Sequence, residues 1–209
     1  MNRSQMIPIA LSTAHLEEGP RFANRNESIP AAGGNTGRAG KEILADGTVR
    51  MKRVVVLLDT PNLSRSTCNQ YGPRARVDFR RLIALAMKQG ILVRAIALVN
   101  PGAPLGLLTL LKSAGFEPRR ANAIDCDDAV VAWTVRLWNY ADQVFLGSGD
   151  GAFTSVAGLL KEVGIRVSVC AVKSACNPAL LRVCHSFVEL PVFAPEPPLA
   201  GLKDPPRAA

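Results

Sequence analysis

The chain lacks most of the features that settle a protein's class at a glance. No apolar run approaches the roughly 20 residues a membrane helix needs, so no membrane partner is expected. The N-terminus carries Glu17 and Glu18 and shows no basic-then-apolar signal pattern. A soluble, cytoplasmic protein is the expectation. No CxxC pair occurs, and the five cysteines (Cys68, Cys126, Cys170, Cys176, Cys184) are odd in number. Free thiols in a reducing compartment fit that pattern better than a disulfide framework. Cys184-His185 has no further metal ligands near it in sequence. Walker A and GxGxxG motifs are absent. The two histidines, His15 and His185, lie far apart and outside the acidic motifs, so no Ser-His-Asp set competes. No RRM, KH or zinc-type motif marks a reader of one nucleic-acid sequence, and no internal repeat is visible.

What is there is a chain of 209 residues, 48% hydrophobic and 20% charged, enough for one domain with a sizeable core. Formal net charge is +8, of which +7 falls in residues 51–209. A basic folded domain favours a polyanionic partner, and nucleic acid is the usual one. Residues 1–51 are rich in Asn, Ser, Gly and Ala, include AAGGNTGRAG, and show no periodicity. They are expected to be a disordered extension. Met51 directly precedes the first strand, and translation starting there is a testable expectation. Residues 52–190 form the expected domain, and 191–209 a Pro-rich tail.

Within the domain, apolar strands alternate with helical patterns. Strands are expected over 54–59, 91–99, 116–121, 143–146, 165–172 and 186–190. Helices are expected over 78–89, 104–114, 127–140, 152–163 and 178–183. Gly90, Gly115 and Gly164 follow helical segments as stop signals. The strands are continuous apolar runs, the mark of a sheet covered on both faces. Strand–helix alternation makes this a doubly wound, mainly parallel α/β sheet flanked by helices on both faces.

In such a sheet, ligands bind beyond the carboxyl ends of the strands. Three acids are placed there by the pattern. Asp59 ends the first strand, Asp125 precedes the helix at 127, and Asp150 follows QVFLGSG. Asn62 lies three residues after Asp59, and Ser148 just before Asp150. Converging carboxylates repel one another unless a cation intervenes. Mg²⁺ or Mn²⁺ turns the repulsion into coordination, polarises a phosphodiester and lowers the pKa of an attacking water. Each acid also has a purely structural use. Asp59 can cap the following turn, Asp150 can serve a tight turn, and Asp127 suits a helix N-terminus. Asp128, one turn from Asp125, can share its face.

Taken together, these motifs resemble the NYN domain family, the LabA-like branch of the PIN-like nucleases. Asp59-Thr60-Pro61-Asn62 resembles the family's opening Asp-x-x-Asn. Asn122-Ala123-Ile124-Asp125-Cys126 is similar to a central Lys-Gly-Val-Asp-Val motif. Ser148-Gly149-Asp150-Gly151-Ala152-Phe153 resembles Ser-Gly-Asp-x-Asp-Phe, and Gly164-Ile165-Arg166-Val167 a later Gly-strand element. The resemblance implies a PIN-like fold and metal-dependent cleavage of single-stranded RNA. It implies catalytic roles for Asp59, Asn62, Asp125 and Asp150, with Asp59, Asp125 and Asp150 as metal ligands. Three positions depart from the pattern: Asn122 replaces a lysine, Ala152 an acid, and Val131 a further acid. Asp128 is the candidate to stand in for the acid missing at Val131.

The segment after Asn62, LSRSTCNQYGPRAR, is expected to be a loop bordering the site. Arg65, Arg74 and Arg76 can grip phosphates, and Tyr71 can stack on an unpaired base. Ser148 joins them as a candidate RNA contact. Arg80 and Arg81 follow, and Arg119 and Arg120 can extend the patch. Trp133, Leu137 and Tyr140 share a helical face and are expected in the core. Val131, Thr134 and Trp138 form a second stripe that points to a homodimer. Two other readings stay open: a degenerate domain that binds RNA or protein without cutting, and a phosphatase on small molecules.

Overall fold

A strand that is apolar at every position needs cover on both faces, and Val54–Leu58 have it: all five are at zero exposure. The computed structural model describes residues 40–43, 46–122 and 126–194. They run β1 (Lys41–Ile43), β2 (Val49–Met51), β3 (Arg53–Asp59), α1 (Thr60–Tyr71), β4 (Arg76–Val77), α2 (Phe79–Met87), β5 (Ile91–Val99), α3 (Leu105–Ser113), β6 (Glu117–Arg120), α4 (Asp127–Leu137), β7 (Gln143–Gly147), α5 (Thr154–Glu162), β8 (Arg166–Ala171), α6 (Pro178–Val183), β9 (Ser186–Glu189) and β10 (Val192–Phe193). Three-residue helical turns at Trp138–Tyr140, Gly151–Phe153 and Lys173–Ala175 sit between them.

The central sheet has six strands in the order β6-β5-β3-β7-β8-β9, every neighbouring pair parallel. Successive side chains of a strand point to opposite faces, and the core divides accordingly. Val55, Leu57, Ile96, Leu98, Val144 and Leu146 pack with Val130 of α4, Leu160 of α5 and Leu180 of α6. Val54, Val56, Leu58, Ala95, Ala97 and Phe145 pack with Leu63 of α1, Leu82 of α2 and Leu111 of α3. Fully burying a Leu or Val side chain is worth about 1.5–3 kcal/mol. The double cover therefore makes β3 the best-anchored strand. From β3 the chain winds outward through β5 to β6, then crosses to β7 and winds outward through β8 to β9. The direction reverses between β3 and β7, so a crevice opens where those two carboxyl ends lie side by side.

The segment after Asn62 is helix, not loop. Asp59 caps it by accepting from the Asn62 amide, Pro61 sits in its first turn, and Leu63 and Thr67 are buried one turn apart. Gly72, at φ 93°, ends it in a conformation only glycine adopts freely. The absence of a long apolar stripe hid the helix from a periodicity reading.

The extension expected to be disordered through residue 51 also needs correcting in its last part. Lys41–Ile43 pair antiparallel with Val49–Met51. Arg50 then reaches Asp142 through two hydrogen bonds of 2.8 and 3.0 Å. At the other end, Val192 and Phe193 pair with Val77 and Arg76, so the ordered fold continues past 190. The rest of the expected extension and the tail beyond 194 lie outside the described residues.

The stripe proposed for a dimer is not continuous. Thr134 is buried and its hydroxyl donates to Val130 O at 2.8 Å, while Val131 and Val135 face solvent.

Candidate active site at the switch point

Asp59 is the last residue of β3 and the cap of α1, so strand and helix aim its carboxylate into the crevice. It is 4% exposed. Its Oδ1 accepts from the Asn62 backbone N–H at 3.2 Å, and its Oδ2 from the Ser148 hydroxyl at 3.2 Å. Ser148 lies just beyond β7 and is fully buried. Its Oγ in turn accepts from the Asp150 amide at 3.2 Å. Asp150 Oδ1 caps the short turn that follows, accepting from Ala152 N at 3.0 Å.

Asn62 ties the two halves together. Its Oδ1 accepts from Gly149 N at 3.2 Å, and its Nδ2 donates to Asp150 Oδ2 at 3.5 Å. One residue therefore touches both acid-bearing segments: Asp59 through its backbone, Asp150 through its side chain. The capping uses foreseen for Asp59 and Asp150 are realised together with their convergence. Gly147, at the end of β7, allows this approach, because a Cβ there would strike Leu58.

Other expected site residues are placed differently. Asp125 lies outside the described residues, as do Ala123 and Ile124. Asp128 is exposed in the first turn of α4, whose start is tied to the end of β5 by the Cys126 thiol donating to Asn100 Oδ1 at 3.8 Å. Among the described residues, no three Asp, Glu, His or Cys side chains form a group able to hold a metal. Asp128 is thus not gathered with Asp59 and Asp150. Those two carboxylates, linked through Asn62 and Ser148, offer only oxygen donors. That chemistry suits a hard ion such as Mg²⁺, which uses one or two carboxylates and keeps several waters.

Arg65 is exposed one turn after Asn62, on its side of α1. Tyr71 is nine residues on, about 180° around the helix and roughly 14 Å along it. It does not flank Asn62. Arg74 is exposed in the turn after α1. Arg76 donates Nη1 to Pro73 O and Ala75 O, both at 2.7 Å, and so braces its own turn. Arg120 likewise donates to Pro101 O and Ala103 O. Arg119 pairs with Glu117 and, with Arg94 and Arg136, lies 5.3–5.6 Å from the Trp133 ring centre. Arg119 and Arg120 are therefore engaged within the fold.

Sequence reasoning missed one wall of the site. A pocket of about 370 Å³ is lined by Asn62, Gly149, Asp150, Gly151 and the segment Ser174–Pro178. Ser174 Oγ donates to Gln70 Oε1 at 2.7 Å, joining this segment to α1. Asn177 N donates to Gly149 O at 2.9 Å. A Cβ on Gly151 would strike the Asn177 side-chain amide. The signal was present in the glycines flanking Asp150, which mark close backbone approach, and in Asn177-Pro178, a helix-start pair. Burial pushes the thiol of Cys176, also on this wall, up to about 11.

A parallel six-stranded α/β sheet flanked by helices fits a PIN-like domain. The comparisons agree: the chain belongs to the NYN domain family, whose model matches residues 53–191. Proteins of this family are generally nuclease-like. A solved structure of a protein of unknown function from Vibrio parahaemolyticus is similar, with a TM-score of 0.60 and 22% identity, covering 66% of this chain and 92% of that one. At that identity the likeness shows the fold alone. No curated protein matches. Among the described residues, no helix is long and apolar enough to cross a membrane.

Proposed function

We propose that this chain is a LabA-like NYN nuclease of the cytoplasm, cutting single-stranded RNA at phosphodiester bonds with Mg²⁺ or Mn²⁺. The observation that carries the reading is the double hold of Asn62 on Asp59 and Asp150 at the switch point. Asp59 and Asp150 would hold the ion, with Asp125 as the third acid of the motif. Such an ion supplies charge neutralisation at the phosphodiester and acidifies water. The chain's own part is positional. Ser148 and the Asn62 amide fix Asp59, while Asn62 and the Ala152 amide fix Asp150. Arg65, one turn along α1, supplies a guanidinium for the strand's phosphates. The wider basic surface raises the local concentration of a polyanion.

The test is incubation with mixed-sequence single-stranded RNA in Mn²⁺, in Mg²⁺ and in EDTA, beside Asp59→Asn and Asp150→Asn. The expected outcome is cleavage that needs the metal and disappears in both variants. A folded wild type that never cuts with either ion sinks the reading.

One observation favours a second reading, a non-cutting RNA-binding module. Val131 and Ala152, where the family pattern carries acids, are both exposed and supply no carboxylate. RNA binding that survives in both variants, with no cleavage by wild type, is the result it requires. A homodimer would use the outward valines of α4, Val131 and Val135; light scattering that finds only monomer at high concentration removes it.

A further inference from the structure

The pocket beside Asp150 has a chemistry that narrows what enters it. One wall carries a carboxylate, Asp150, and the other polar side chains are Asn62, Ser174 and Asn177. Among the described residues, no lysine or arginine lines it, so no cationic side chain there grips a phosphate. No aromatic ring lines it either, so no base can stack. What a carboxylate, two amides and a hydroxyl do recognise is a set of hydroxyl groups.

We infer that this pocket takes a ribose of the bound strand, and that Asn177 determines preference for RNA over DNA by hydrogen bonding the 2′-hydroxyl. The inference rests on the proposed RNA-directed function and adds the sugar as the recognised group. Asn177 Oδ1 is engaged, accepting from Ala179 N at 2.8 Å as the cap of α6. That bond fixes the amide plane and leaves Nδ2 as the donor, directed at Gly151 closely enough that a Cβ there would meet it. A carboxylate acceptor, Asp150, and an amide donor, Asn177, thus share one pocket. A hydroxyl, which both donates and accepts, satisfies both. A deoxyribose offers the Asn177 donor no 2′-hydroxyl, and the lost hydrogen bond is what discriminates.

The test measures affinity for a short mixed-sequence single-stranded RNA and for DNA of the same sequence, with Ca²⁺ present. Wild type is compared with Asn177→Ser and Asn177→Asp. Serine and aspartate are both good helix caps, so each variant should keep its thermal midpoint. Neither carries the amide donor. Wild type is expected to prefer RNA by about tenfold. Both variants should fall towards parity by losing RNA affinity, with DNA affinity unchanged in the serine variant. An unchanged RNA-to-DNA ratio in both variants overturns the inference. So does a wild type that binds both strands equally, an outcome that leaves the nuclease reading standing. A wild type that binds neither removes both. Should one variant fail to fold, the other decides.

Discussion

Asn62 shows what one side chain does at this site. Asn62→Ala removes the contacts to Gly149 and Asp150 but keeps the backbone bond to Asp59. Stability should fall by about 1 kcal/mol, the net value of ordinary hydrogen bonds. Activity should fall far more, by about a hundredfold, because small misplacements of catalytic groups carry that cost. Chemical denaturation and single-turnover cleavage on the same preparation check the contrast. Equal, small effects on both would make Asn62 a structural residue only. Gly151 gives a second prediction. Gly151→Ala drives a methyl into the Asn177 amide, which must swing away from its cap of α6, and losing such a cap costs about 1 kcal/mol. Combining it with Asn177→Ser should recover part of that loss in a double-mutant cycle. Strict additivity would show that the two loops do not press on each other.

At the scale of elements, the sheet was legible in the sequence and the ends of the domain were not. The continuous run Val54–Leu58 dictated a doubly covered strand, and the glycines at 90, 115 and 164 marked helix stops. Asp59, Asn62 and Asp150 were legible because strand ends in a parallel sheet converge on one edge. The pocket wall at Ser174–Pro178 was not, since it meets the site through a long-range approach that no local pattern encodes. The hairpin of β1 and β2 was hidden too. Its composition is that of a coil, and a distant carboxylate helps to tie it to the sheet. Asp142 accepts from Arg50 and from the backbone and side chain of Arg53. Burial alone would raise its pKa, but the hydrogen bonds from Arg53 and Arg50 and the charge of Arg53 outweigh that and hold it below the usual carboxylate range. A depressed folded-state pKa gives stability that is fully present above the unfolded value, near 3.9, and is lost as pH falls below it. Wild type should therefore lose stability steeply below about pH 4. Asp142→Asn should be weaker by roughly 2–3 kcal/mol at neutral pH and show a flatter acid limb. Removing residues 1–50 deletes Arg50 and should produce part of the same change. Identical acid limbs in wild type and Asp142→Asn would refute the assignment.

For the whole molecule, the net charge of +8 predicts salt-sensitive binding of polyanions but does not say which cations take part. The structure divides them. Arg65 and Arg74 are exposed and make no ion pair among the described residues, whereas Arg76 and Arg120 donate to backbone carbonyls and Arg119 shares Glu117 with Arg94. A cation free to meet a phosphate releases a counterion on binding; one already held by the fold contributes less. Each phosphate contact on a single strand adds about −0.7 to the slope of log K against log salt. Arg65→Gln and Arg74→Gln should each make that slope shallower by about 0.7 and weaken binding alike for all sequences. Arg76→Gln and Arg120→Gln should leave the slope close to wild type, their effect appearing instead as a loss of thermal stability. Fluorescence anisotropy with one labelled RNA, titrated at several salt concentrations, separates the two groups. Should Arg76 and Arg120 move the slope as much as Arg65 and Arg74 do, the strand runs past the far end of α1, and the basic surface acts as a diffuse field, not as discrete contacts beside the switch-point site.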